Sequence, residues 1–172
     1  LTQALIQAAV GQTSTPVTYD GSYRRIAYRG GDVPANIGVC TDVIVRAYRA
    51  VGIDLQVQVH EDMKAAFSSY PQIWGLSRAD PNIDHRRVPN LQTYFRRRGA
   101  QLPVSRNAAD YQPGDLVTWM LPGNLPHIGL VTDQRSQDGE RLLIVHNIGR
   151  GPQIEDMLFD YPVSGHYRYR GD

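Results

Sequence analysis

Apolar side chains change their spacing once along this chain, near Pro103, and that change limits the fold more than any other feature. Before it the spacing is helical. Val43, Ile44, Ala47, Tyr48 and Val51 line one face of a helix that begins at Cys40 and is ended by Gly52, the clearest helix in the chain. Leu1–Val10, stopped by Gly11, and Leu91–Arg98, stopped by Gly99, read as two more. Asp62–Tyr70 reads as a helix closed by Pro71, whereas Ile53–Val59 alternates as a strand does. Gln12–Pro34 and Trp74–Pro89 carry turn signals and read as ordered loop.

Beyond Pro103, Leu116–Met120, His127–Asp133, Leu142–Asn147 and Gly165–Arg170 are short β-rich runs separated by Pro-Gly, Gln-Asp-Gly and Gly-Pro turns. Helices first and strands after predict an α+β domain. Its Cys40 helix packs on one face of a four- to five-stranded antiparallel sheet, and residues 1–172 form a single unit.

The charge balance narrows the partners. Eighteen basic residues face seventeen acidic ones with no basic tail, which argues against nucleic acid. Lys64 is the only lysine, so the positive charge is almost all guanidinium, the group suited to gripping carboxylates in a two-pronged bond. The longest apolar runs are too short to cross a bilayer. No basic stretch followed by an apolar one opens the chain, so any export signal is expected to have been removed or never included. With one cysteine, no internal disulfide and no multi-cysteine metal site can form. His60-Glu61-Asp62 lacks the close spacing of a zinc motif, so no metal and no cofactor is expected.

Cys40 is the residue whose placement suggests chemistry. At the start of a helix, free backbone N–H groups and the helix dipole favour a thiolate, and the same N–H groups can hold the oxyanion formed when it attacks a carbonyl. Such a nucleophile needs a base and a group to orient that base. His127 opens a strand behind Pro126. Alternation puts it on one face with Gly129 and Val131 and turns Ile128 and Leu130 to the other. The next strand ends in Val145-His146-Asn147, so either His146 or Asn147, depending on register, stands beside His127.

Pro113-Gly114-Asp115-Leu116-Val117-Thr118-Trp119, Pro126-His127-Ile128-Gly129-Leu130-Val131 and Leu143-Ile144-Val145-His146 resemble the second half of the NlpC/P60 pattern, and Cys40 matches its nucleophile position. That family usually carries Asp-Cys-Ser or Asp-Cys-Thr there, whereas Val39 precedes Cys40 here. The whole chain more closely resembles the DUF1287 family of bacterial proteins. Gly38-Val39-Cys40-Thr41-Asp42, Ile83–Leu91 and Val145-His146-Asn147-Ile148-Gly149 carry that likeness. The resemblance implies a papain-like NlpC/P60-type core and a catalytic set of Cys40, His127 and His146, with Asn147 as the alternative third member. It also implies a periplasmic or secreted peptidase or amidase acting on peptidoglycan stem peptides.

Asp42, His85, Arg86, Arg87 and Tyr28 are the candidate substrate contacts, the arginines as clamps for a stem-peptide carboxylate. Asp42 also fits a plain helix cap. Trp74, Trp119 and His166 read as packing. A monomer with a peptidoglycan peptide as substrate, no nucleic-acid partner and no membrane span is expected. The rival readings are a non-catalytic wall-binding or toxin-like module, and an acyltransferase using the same thioester.

Overall fold

The computed structural model describes residues 1–171. Four α-helices, α1 (Thr2–Gly11), α2 (Cys40–Ala50), α3 (Leu55–Ala65) and α4 (Val88–Arg97), precede most of the strands. The strands are β1 (Thr18–Tyr19), β2 (Ile37–Gly38), β3 (Gln101–Leu102), β4 (Leu116–Leu121), β5 (Leu125–Arg135), β6 (Leu142–His146), β7 (Gln153–Glu155) and β8 (Val163–Tyr167). β1 and β2 pair in parallel, and the other six form one antiparallel sheet in the order β3-β8-β4-β5-β6-β7. The architecture is α+β, with six strands in the main sheet where the sequence predicts four or five. β3 and β7, two and three residues long, are too short for a visible alternation.

Each face of the sheet has its own core. Ile128, Leu130 and Val145 pack against Leu5, Ile44 and Leu91 of the helices. On the other face Val117, Trp119, Val131 and Ile144 are covered by Tyr111, Met157 and Leu158 from the connections, and the Trp119 indole N–H donates to Leu158 O at 2.8 Å. α2 lies on the helical face and contacts β5 directly.

One expected strand is a helix. Ile53–Val59 alternates in sequence, yet α3 starts at Leu55. Asp54 caps it by accepting from the backbone N–H groups of Gln56 and Val57. Leu55, Val59, Asp62 and Met63 are its buried residues at helical spacing, and polar Gln56 is buried with them. The Gln56 amide donates to Ala27 O and Pro81 O and accepts from Gly31 N–H, stitching two loops to the helix. Those bonds require a partner behind the helix that the sequence pattern does not reveal.

Candidate active site

Cys40 is the first residue of α2. Asp42 takes the N–H of Val39 at 2.7 Å, closing the helix start, and receives two bonds from Arg86, at 3.0 and 2.9 Å. Both members of that ion pair are almost fully buried. The Arg86 carbonyl accepts from the Thr41 hydroxyl at 2.8 Å, so the helix start is pinned from both sides. Asp42 and Arg86 therefore neutralise each other and hold the helix start, where the sequence reading makes both substrate contacts. His85 is likewise sealed, 2% exposed, and burial drives its pKa down to about 4. Tyr28 is bonded to Glu61 and set edge-on to His60, away from the Cys40 cleft.

The backbone places the sulfur. Val131 N–H donates to Asp115 O, across to the β4 side, so by alternation the Ile128 N–H points to the β6 side. β6 ends at His146, and Leu130–Val145 is the pair of the β5–β6 register nearest that end. The Ile128 N–H is left over at this end of the sheet, and the Cys40 sulfur lies against it. The thiol thus lies at the peptide that joins His127 to Ile128. The Tyr19 hydroxyl reaches both the sulfur and the Cys40 backbone N–H. Sequence reasoning missed Tyr19; its only signal was an aromatic in the loop ahead of the nucleophile.

His127, Gly129 and Val131 share the face away from α2, as alternation requires, and the His127 ring stands 5.6 Å from that of Trp119. A Cβ on Gly129 would lie 2.7 Å from Ile144 Cγ2 and 3.1 Å from His146 Cβ, so glycine lets the neighbouring strand close over the imidazole. His127 Nε2 meets His146 Nδ1 at 2.8 Å, and His146 Nε2 meets Glu155 Oε1 at 2.8 Å. The tautomers follow from these contacts. The Glu155 carboxylate only accepts, so His146 Nε2 carries hydrogen; neutral His146 then accepts at Nδ1, and His127 donates from Nε2. The His127 Nδ1 is left as a bare lone pair, with no protein partner among the described residues.

Register resolves the open choice between His146 and Asn147. The Asn147 carboxamide oxygen accepts from Gly149 and Gly151 N–H groups and holds the turn after β6. Glu155 was not expected at all, because β7 gives no sequence signal of its own.

Burial dominates the electrostatics. Cys40 is 5% exposed and its thiol is pushed up to about 11, mainly by desolvation and in spite of the Ile128 N–H and Tyr19 hydroxyl. Desolvation, with His146 adding to it, drives His127 down to about 3. The resting pair is neutral thiol and neutral imidazole, where the sequence predicts a thiolate favoured by the helix start. No hydrogen bond joins the two side chains among the described residues, and the His127 ring lies on the sheet face away from α2, outside the lining of the Cys40 cleft.

Cys40 lies on the wall of a cleft of about 420 Å³, shared with Tyr19, Trp74, Arg86, Arg87 and Pro126. A larger groove of about 840 Å³, bordered by Tyr23, Lys64 and Arg78, holds none of this chemistry. Among the described residues no three His, Cys, Asp or Glu side chains converge as metal ligands.

The chain is 51% identical over 166 residues to the uncharacterized protein YijF of Escherichia coli (strain K12), across 96% of this chain and 80% of that protein. No solved structure matches it. Residues 6–169 match the domain of unknown function DUF1287, and the chain belongs to that family.

Proposed function

We propose that this DUF1287 protein is a cysteine hydrolase that cleaves an amide or peptide bond in peptidoglycan stem peptides, outside the cytoplasm, on a papain-like core of the NlpC/P60 type. The observation that carries the proposal is the relay Glu155–His146–His127, which leaves His127 Nδ1 without a protein partner on the strand whose Ile128 N–H meets the Cys40 sulfur. The cell-wall substrate and the location rest on the likeness of the Cys40, Pro126–Val131 and Leu143–His146 segments to NlpC/P60 enzymes.

In this mechanism Cys40 attacks the substrate carbonyl as its proton passes to His127 Nδ1, which suits a pair that rests uncharged. The Cys40 N–H and the Tyr19 hydroxyl are the donors placed for the oxyanion. The imidazolium is held through His146 by Glu155 and then protonates the leaving amine. Water, activated by the restored Nδ1, hydrolyses the thioester.

Digestion of purified peptidoglycan with wild type and with Cys40→Ala tests this. Wild type releases fragments with new amine and carboxylate ends, seen by mass spectrometry, and the variant releases none while it still folds. Equal release by both proteins sinks the mechanism. One observation favours a second reading: a sulfur this buried, without a bond to His127, fits a non-catalytic wall-binding module. In that case both proteins bind the polymer and neither cuts it. Fragments carrying an added amine would mark an acyltransferase.

A further inference from the structure

Two adjacent arginines reach the cleft beside Cys40, and the structure treats them differently. Arg86 is neutralised by Asp42 in a buried two-bond pair. The Arg87 side chain forms no ion pair and no hydrogen bond among the described residues. Its guanidinium carbon sits over the Trp74 ring, 4.4 Å from the centroid, and both side chains line the cleft. No acidic side chain lines that cleft. Asp84 feels the Arg87 charge but is itself sealed, and it spends one carboxylate oxygen on the Asp80 N–H.

A guanidinium held against an aromatic face keeps its planar donor edge in a fixed direction, so little side-chain entropy is lost when it grips a carboxylate. A single unneutralised cation in a cleft free of acids also raises the local concentration of anions. We propose that Arg87, seated on Trp74, binds a carboxylate of the substrate, so that the peptide attacked by Cys40 carries a free acid near the scissile carbonyl. This rests on the nucleophile reading above and deepens it by naming the substrate class.

Cys40 is the only cysteine, so alkylation reads one site without ambiguity. The probes are iodoacetyl compounds ending in a carboxylate or in the matching carboxamide, with zero, one or two glycines between. Rates are measured by intact mass and divided by those of free cysteine. The expected result is that, for at least one spacer, the acid labels Cys40 roughly 10-fold faster than its amide, the size of a charge-assisted hydrogen bond. That preference disappears in Arg87→Gln and, in wild type, shrinks as salt is raised, which needs no variant to fold. Equal rates for acid and amide at every spacer overturn the carboxylate site and leave the nucleophile standing. A preference that survives in Arg87→Gln overturns it as well. Failure of all probes to label Cys40 overturns the accessible nucleophile, and this subsite with it.

Discussion

Two histidine–carboxylate clusters stand on the same face of one sheet, and they differ in what lies between the ring and the acid. On β8, His166 meets Asp115 directly at 2.6 Å; Arg168 adds two bonds to the same carboxylate, and Tyr111 stacks on the ring at 4.2 Å. Nothing nucleophilic faces the other ring nitrogen, which is buried without a partner. On β5, His127 reaches Glu155 only through a second imidazole, and its remaining nitrogen has no protein partner among the described residues. Direct contact with a carboxylate makes a structural lock. Contact through a neutral imidazole fixes a tautomer and leaves the far nitrogen free to take a proton.

The sharpest way to break this contrast is to remove each ring in turn. His127→Gln is expected to lower turnover by roughly 10³-fold or more, as loss of a triad base does, with a stability change within about 1.5 kcal/mol. His166→Ala is expected to keep the reaction and to cost about 2–4 kcal/mol, because it leaves a buried carboxylate short of a partner. Urea unfolding and peptidoglycan digestion on the same preparations read both quantities. If His166→Ala loses turnover at unchanged stability, the two clusters have been assigned the wrong way round.

The lock and the relay were not equally legible in the sequence. α2 shows through its apolar face and the glycine that ends it, and β4, β5 and β6 show through alternation and turn residues, so Cys40, His127 and His146 can be named in advance. Those signals are local. α3 is misread because Leu55, Val57 and Val59 alternate like a strand, while the helix is set by the Asp54 cap and by Gln56 bonds to loops 25 and more residues away. Glu155 is invisible because a three-residue strand has no periodicity. Asp42 and Arg86 look like substrate contacts since exposed charge is the rule for such residues; only the fold, which brings positions 44 residues apart together, makes them a buried pair. The protonation state was misjudged for a related reason: a helix start favours a thiolate, but burial of the sulfur outweighs that preference.

A smaller effect isolates the far end of the relay. Glu155→Gln keeps the side-chain shape but removes the negative charge that stabilises positive charge passed from His127 to His146. Turnover is expected to fall about 10- to 100-fold, mostly in kcat, in line with a hydrogen bond to a charged group. A Gln amide can also turn its NH₂ toward His146, forcing the opposite tautomer and leaving His127 Nε2 without an acceptor. The activity-against-pH profile is then expected to change shape, which a purely structural role for Glu155 would not produce. An unchanged profile with only a raised KM would remove Glu155 from the relay.

The least of these effects concerns acid, and it tests the lock alone. Burial by itself raises the Asp115 pKa, but bonds from His166, Arg168 and the Gln112 N–H outweigh it and hold the carboxyl below its ordinary value. A carboxylate with a depressed folded pKa adds stability that is complete above its unfolded value near 3.9 and is lost as pH falls from there through the folded value. Thermal midpoints measured from pH 7 down to pH 2 are therefore expected to fall more steeply below about pH 4 in wild type than in Asp115→Asn. The variant starts lower at pH 7, because Arg168 and His166 lose their charged partner, and the two curves approach each other in acid. Parallel curves would mean that Asp115 carries no pH-dependent stability, and the lock would then owe its strength to the Tyr111 stack instead.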